Sequence, residues 1–135
     1  MKKRIIIVGA ALILLAGIYI GSQGTNLPAR ERYRLVMLSK SLIRKINRRD
    51  FDVCSMYFNE ETRKESNILQ IRNTLIPALN VLGTFQRFRT SVVTKKELDD
   101  AEYTVCQVRC DYSNGPAIFN LLFDKDYLVA GMYIE

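Results

Sequence analysis

The segment YTVCQVRCDYSNGPAIFNLLF, residues 103–123, decides the fold of this chain. Apolar and polar side chains alternate on both sides of Asn114-Gly115, and this period of two is typical of half-buried strands. Asn-Gly between two such runs is a strong hairpin signal. The predicted buried face carries Thr104, Cys106, Val108, Cys110 and Tyr112 in the first strand and Ala117, Phe119, Leu121 and Phe123 in the second. The segment therefore predicts an antiparallel hairpin with one apolar face.

Two further strands are predicted on either side of the hairpin, at residues 84–93 and 127–134. Charged turns connect them to it, at residues 95–100 (KKELDD) and at Asp124-Lys125-Asp126. Ahead of the sheet the apolar period changes to about 3.6 residues, which predicts helices at residues 30–47, 51–58 and 67–82. The predicted fold class is α+β, with an N-terminal membrane segment and then three helices packed on a four-stranded antiparallel sheet.

The sequence also indicates which helix residues are buried and where the helices begin and end. The buried stripe of the first helix is predicted at Leu35, Leu38, Leu42 and Ile46. Asp50 is predicted to N-cap the second helix, and Asn67 with Gln70 fits a capping box for the third. Pro77 should kink the third helix, and Gly83 should end it.

The N-terminus reads Lys-Lys-Arg followed by sixteen residues, 5–20, without a charged or strongly polar side chain. As a helix this run would span roughly 24 Å, against about 30 Å for the hydrocarbon core of a bilayer. It predicts a signal peptide or single-span anchor at residues 1–22, a linker at residues 23–28 and one domain at residues 29–135. A buried core helix is a third alternative, and the basic flank argues against it.

The basic flank predicts a cytoplasmic N-terminus and an extracytoplasmic domain. An uncut segment makes the protein a single-pass protein of the cell membrane, attached through residues 5–20. Cleavage near Ser22-Gln23-Gly24 makes it a secreted one. The sequence leaves both outcomes open.

Positive charge is concentrated just after this segment. Residues 30–50 contain eight basic and two acidic side chains, whereas residues 51–135 contain nine basic and twelve acidic ones. The basic face of the first helix is made of Arg34, Lys40, Arg44, Lys45 and Arg48. We expect it to rest on anionic lipid or a cell-wall polyanion, the alternative being a solvated face that aids solubility. An exported domain with charge so unevenly placed is not expected to bind nucleic acid.

Side chains suited to catalysis are few. The chain has no histidine, which removes Ser-His and Cys-His pairs and most zinc sites, so no catalytic residue, metal or cofactor is predicted. Export makes a disulfide between Cys54 and either Cys106 or Cys110 one alternative, and three buried free thiols the other. Cys106 and Cys110 are too far apart along one strand to bridge each other. Tyr57 and Tyr112 are the candidate polar groups of a ligand pocket.

The sheet face turned away from the helices is less polar than a solvated face should be. Alternation places Tyr103, Val105, Ile118, Leu122, Val129 and Tyr133 there. Because an apolar patch rimmed by charge often marks an interface, we expect a homodimer or an exported protein partner on this outer sheet face.

Several short motifs resemble the small exported NTF2-like domains of a family of unknown function. The resemblance covers about residues 33–135 and rests on Arg49-Asp50-Phe51-Asp52, Leu82-Gly83-Thr84-Phe85, residues 105–112, Phe123-Asp124-Lys125-Asp126 and residues 129–134. It implies a cone, in which a bent sheet wraps around the helices and leaves a pocket at the open end. Such cones host isomerases, dehydratases and cyclases as well as pure binding modules. Their acid–base residues are usually histidine or aspartate inside the cone, whereas the inward positions here are almost all apolar.

These observations favour a non-catalytic extracytoplasmic module, membrane-tethered or secreted, that binds a small apolar ligand, a peptide or another exported protein. The alternative is a small isomerase- or cyclase-like enzyme acting on an apolar substrate in the cone pocket. The interior discriminates between them, because an enzyme needs converging polar groups and an interaction module does not.

Overall fold

The computed structural model describes residues 5–7, 27–98 and 101–135. In chain order the elements are β1 (Ile5–Ile7), α1 (Ala29–Asn47), α2 (Phe51–Cys54), α3 (Glu65–Leu82), β2 (Phe85–Leu98), β3 (Ala101–Tyr112), β4 (Gly115–Phe123) and β5 (Val129–Ile134). The strands are antiparallel, in the order β1-β5-β4-β3-β2. Three helices packed with a sheet of four long strands confirm the predicted α+β class.

The hairpin of β3 and β4 forms as the alternation predicts. Cys106 pairs with Leu121 and Val108 with Phe119, and the turn closes with Tyr112 opposite Gly115. We call the sheet face that packs against the helices the inner face. Its buried side chains include Cys106, Val108, Cys110, Tyr112, Ala117, Phe119, Leu121 and Phe123. Period-2 patterning therefore assigned the core side of both strands correctly.

α1 packs across the inner face. Its buried residues are Leu35, Ser39, Leu42, Ile43 and Ile46. Leu38, predicted in the same stripe, is only partly buried, at the edge of the core. Ser39 is enclosed where α1 meets β3: its hydroxyl donates to Leu35 O at 2.8 Å, and its side chain also interacts with the Cys106 thiol. Small side chains at this point allow the helix to lie close to the strand.

The predicted charged turn is wrong at residues 95–98, because β2 continues to Leu98; residues 99 and 100, ahead of the start of β3 at Ala101, lie outside the described residues. Lys95 pairs with Thr104 and Glu97 with Glu102 in the ladder. Across the two strands, Lys95 Nζ lies 3.3 Å from Glu102 Oε1. The Lys95–Glu102 pair is a favourable cross-strand contact, whereas the like charges of Glu97 and Glu102 oppose the pairing.

Of the two predicted N-caps, Asp50 is confirmed in position and the box at Asn67 is wrong. Asp50 occupies the N-cap of α2, but its side chain makes no capping hydrogen bond; its backbone N–H donates to Lys45 O at 3.0 Å. α2 is one turn that continues as a 3-10 turn, Ser55–Tyr57. α3 begins at Glu65, ahead of the predicted box at Asn67. The predicted end is confirmed: Gly83, at φ +86°, follows Leu82.

β1 is an element that the sequence did not predict. Ile5 pairs with Ile134 and Ile7 with Met132, so the start of the apolar run adds a short strand beside β5. The rest of the predicted membrane segment, residues 8–20, lies outside the described residues. Within residues 5–7, 27–98 and 101–135, no helix is long and apolar enough to cross a membrane. The anchor therefore stays a prediction.

The outer sheet face is more enclosed than alternation implies. Val105, Leu122 and Tyr133 are buried, and Tyr103 and Ile118 are partly exposed. The placement of Val129 on this face is wrong, because it belongs to the core. The ladder shifts by one residue between Leu122 and Phe123, which reverses the alternation at the start of β5. A partner on this face stays a prediction.

Replacing Gly83 by alanine should destabilise the fold more than the same change at Gly115. Both glycines have positive φ, +86° and +144°, so both variants carry backbone strain. Only at Gly83 would the new Cβ collide with Ser113 Oγ, which accepts a hydrogen bond from Thr84 N at 2.8 Å. We expect Gly83→Ala to lower the free energy of unfolding by about 2–4 kcal/mol and Gly115→Ala by about 1–2 kcal/mol. Urea titration followed by circular dichroism measures both, and equal losses would contradict this account.

Candidate functional site

The space between the helices and the inner face is filled by packed side chains. The largest of those that are fully buried are Phe58, Phe119, Phe123, Leu35, Leu42, Ile43, Ile46, Leu75 and Leu79. The polar Ser39 among them is satisfied by its own helix. These side chains occupy the space where a cone pocket was expected. The candidate sites therefore lie on the surface of the described part of the chain.

Tyr112, one of the two predicted pocket residues, lies at the edge of this core. Its hydroxyl donates to Asn47 Oδ1 at 2.6 Å, and its ring packs edge-on against Phe85 at 5.5 Å. Burial is the main cause that raises its pKa above the ordinary value of 10.0. Tyr112 thus joins the end of β3 to the end of α1, which is a structural contact.

Asp111 lies on the opposite face of β3 from Tyr112, as alternation predicts. Its Oδ2 accepts hydrogen bonds from Arg87 Nε at 2.9 Å and Arg89 Nε at 2.5 Å. These two guanidinium groups lower the pKa of that carboxyl. A catalytic pair of Tyr112 with this carboxylate is therefore not formed.

A polar cleft of about 480 Å³ lies beside the C-terminal ends of α1 and α3. Arg49, at φ +59°, is its charged residue. The Arg49 guanidinium donates to Asn47 O at 2.7 Å and to Asn80 Oδ1 at 3.3 Å. The Arg49 guanidinium thus satisfies a carbonyl at the C-terminus of α1 and also bonds to a side chain of α3. We interpret its role in this cleft as structural, because it connects the two helices.

Tyr57, the other predicted pocket residue, lines a different cleft. We call it the α1–α2 cleft; it has a volume of about 310 Å³ and is lined by Leu38, Lys45, Val53, Met56, Tyr57, Tyr127 and Leu128. Its walls come from α1, from α2 with the following 3-10 turn, and from the turn before β5. The two tyrosines of the sequence prediction therefore do not share one pocket.

Polar groups converge at one side of the α1–α2 cleft. The hydroxyls of Ser41 and Tyr57 lie 2.7 Å apart and share a hydrogen bond. Lys45 Nζ donates to Ser41 Oγ at 3.5 Å and lies 5.6 Å from the centre of the Tyr57 ring. One ammonium and two hydroxyls thus stand beside an apolar floor.

A second cation flanks the cleft at Tyr127. The Arg34 guanidinium lies 4.5 Å from the centre of the Tyr127 ring, a cation–π contact. Tyr127 has φ +61°, which is unusual for a residue with a side chain. Asp124 imposes this turn, because its Oδ1 accepts from the backbone N–H groups of Asp126 at 2.9 Å and Leu128 at 3.1 Å.

The grouping of Ser41, Lys45 and Tyr57 invites comparison with a serine nucleophile activated by lysine. Ser41 lies in the middle of α1, where backbone N–H groups are bonded to carbonyls of the preceding turn. Such a position offers no free N–H groups to stabilise an oxyanion. The arrangement is therefore better suited to holding an anion than to attacking a carbonyl.

The predicted basic face of α1 divides into two flanks. Arg34 and Lys45 border the α1–α2 cleft, whereas Lys40 and Arg44 lie over the Phe88 ring at 5.5 Å and 5.0 Å. Arg48 is exposed just beyond the end of the helix. Among the described residues, none of these five cations forms an ion pair with a carboxylate. The sequence identified the cations but not the aromatic rings beneath them.

All three cysteines are buried free thiols, which is the second of the two alternatives given by the sequence; Cys54 is not bridged to Cys106 or Cys110. Burial raises the pKa of Cys54 and Cys110 to about 12 and that of Cys106 to about 11, from an ordinary value of 9.0. Nearby carboxylates, Asp50 and Asp111, add to the shift at Cys54 and Cys110 respectively. Within the described part, no three His, Cys, Asp or Glu side chains come together to hold a metal ion.

Comparisons with protein-family models, with curated proteins and with solved structures find no match to this chain.

We expect the three thiols to resist N-ethylmaleimide at pH 7.5, because the protonated, buried form does not react. Mass spectrometry should show labelling only after unfolding, and a Met56→Cys variant should gain one fast-reacting thiol, since that position is 72 % exposed. Because the folded pKa values are raised, the thiols' contribution to stability is complete below about pH 9 and falls as pH rises toward 11–12. Fast labelling of the native wild-type chain would contradict the burial.

Proposed function

We propose that this chain is a non-catalytic extracytoplasmic interaction module of the NTF2-like cone type, which binds an anionic surface through α1. The observation that carries the proposal is the set of five cations of the predicted basic face, four on α1 and Arg48 just beyond its end, none of them paired with a carboxylate in the described residues. Each basic residue near an anionic lipid surface contributes about 1 kcal/mol of attraction. Several such cations on and beside one helix favour its attraction to an anionic surface.

Position along the chain supports the same proposal. α1 begins at Ala29, directly after the predicted anchor and linker, so an uncut anchor would keep this helix beside the membrane. Electrostatic attraction fades over about 8–10 Å at physiological salt, and therefore proximity decides whether the cations act. The order of three helices followed by an antiparallel sheet also supports the proposed NTF2-like type.

The filled interior favours this function over an isomerase- or cyclase-like enzyme. A substrate enclosed between the helices and the inner face would have to displace Phe58 or Phe119, both fully buried. Tyr112 and the adjacent Asp111 lie on opposite faces of β3 and are bonded to other partners.

The basic face should bind anionic vesicles more tightly than neutral ones. We would place the full chain in phosphatidylcholine nanodiscs and measure co-flotation with vesicles with and without phosphatidylglycerol. Lys40→Glu combined with Arg44→Glu should weaken binding to the anionic vesicles by tenfold or more, because two attractions become repulsions. Raising the salt to 0.5 M should weaken the wild type as well.

The matched control is Arg72→Glu combined with Arg109→Glu, which changes the net charge equally at two exposed positions on α3 and β3. We expect it to change binding by less than threefold. Equal binding of the wild type to neutral and anionic vesicles, or equal losses in both double variants, would refute the role of α1.

The extracytoplasmic location predicts where the chain is recovered from cells. Mass spectrometry should find an intact N-terminus in the membrane fraction if residues 5–20 are an anchor. It should find a chain starting near residue 25 in the medium if they are a cleaved signal. Recovery of the intact chain mainly from the cytosol would refute both forms of the proposal.

A further inference from the structure

We propose that the α1–α2 cleft binds a single-chain fatty acid, with its alkyl chain on the apolar floor and its carboxylate beside Lys45, Ser41 and Tyr57. This ligand site goes beyond the proposed binding of α1 to an anionic surface. It uses one flank of the helix and leaves Lys40 and Arg44, on the other flank, free for that surface.

The floor of the cleft is apolar and partly uncovered. Leu38, Val53, Met56 and Leu128 line it, and Met56 is 72 % exposed. Methionine is flexible and polarizable, so it adapts to ligands of variable shape. Covering this surface with an alkyl chain removes apolar area of both the protein and the ligand from water, which favours binding.

Charge complementarity selects an anionic head group. Lys45 stands at the polar side of the cleft and Arg34 at Tyr127, and neither has a carboxylate partner among the described residues. A bound carboxylate can accept a charge-assisted hydrogen bond from Lys45 Nζ and another from a hydroxyl of the Ser41–Tyr57 pair. The Ser41 and Tyr57 oxygens are 2.7 Å apart, so one hydroxyl donates its proton to the other. The proton of the second hydroxyl can then point outward, toward a ligand.

Backbone strain at the cleft supports the idea of a built site. Tyr127 is held at φ +61°, which is unfavourable for a residue with a side chain, and the Asp124 carboxylate stabilises this turn by accepting hydrogen bonds from Asp126 N and Leu128 N. The conformation places an aromatic ring on the cleft wall, under Arg34. Strained residues that are fixed in this way cluster at ligand sites.

The size of the cleft favours one short chain. Its volume of about 310 Å³ is at the lower end of the range of about 300–1,000 Å³ that is typical of small-molecule pockets. A phospholipid with two acyl chains needs considerably more room. We therefore assign a monomeric fatty acid rather than a bilayer lipid as the occupant.

The test uses the full chain in phosphatidylcholine nanodiscs, labelled with carbon-13 at its methionine methyl groups. Decanoate is the probe, decanol the neutral control of equal length, and acetate the head group alone. We expect decanoate to shift the Met56 methyl signal in a saturable way. Decanol should bind at least tenfold more weakly, and acetate should produce no shift.

Two alanine variants locate the carboxylate. Lys45→Ala should weaken decanoate binding by about tenfold, because a charge-assisted hydrogen bond is lost. Lys40→Ala, on the other flank of α1, should leave it unchanged. The methyl signal of Met132, which is buried in the core, reports in each variant whether the fold is retained.

A Val53→Phe variant tests the apolar floor, since the larger side chain fills the cleft and should abolish saturable binding. The inference is overturned if the Met56 shift is linear in decanoate, if Lys45→Ala and Lys40→Ala behave alike, or if phosphatidylglycerol in the nanodisc alone produces the shift. Failure of the surface function would appear instead in the Lys40→Glu, Arg44→Glu flotation experiment, so the two failures can be told apart.

Discussion

The close contact between α1 and β3 is the constraint on which the rest of the structure depends. Ser39 and Cys106 are fully buried where the two elements meet, and their small side chains let the helix lie close to the strand. Ser39 donates to Leu35 O, so this approach leaves its hydroxyl satisfied. The contact sets the rotation of α1 about its axis. It therefore decides which cations border the α1–α2 cleft and which lie over Phe88.

Much of the fold could be predicted because its signals are local. Alternation on both sides of Asn114-Gly115 identified the β3–β4 hairpin and its core face, and Gly83 marked the end of α3. Errors arose where long-range pairing overrode local preference. β2 continues through a charged run in backbone pairing with β3, with one cross-strand ion pair between Lys95 and Glu102, and a one-residue shift in the ladder carries Val129 into the core. Neither effect has a signal within a short window of sequence.

The candidate site was less predictable than the fold, because it is assembled from distant parts of the chain. Tyr57 and the basic residues of α1 were identified by residue type alone. Their partners were not, since Ser41 and Tyr57 are 16 residues apart and Tyr127 reaches Arg34 only through the folded turn. Tyr112 was assigned to the same pocket, but its hydroxyl donates a hydrogen bond to Asn47. Residue type can identify candidate site residues in a sequence, but only tertiary packing decides which of them lie together.

β1 contributes only three residues, yet it pairs with the outer edge of β5. At the opposite side of the sheet, β2 carries Lys95, Lys96 and two register shifts, features that discourage other chains from pairing there. β5 reads VAGMYI, with no charge. Membrane insertion of Ile5–Ile7 would leave the backbone N–H and C=O groups of this edge unsatisfied. If residues 5–20 are a membrane anchor, insertion and pairing with β5 are alternatives for the same three isoleucines, and the inserted form would offer neighbouring chains an edge for strand addition.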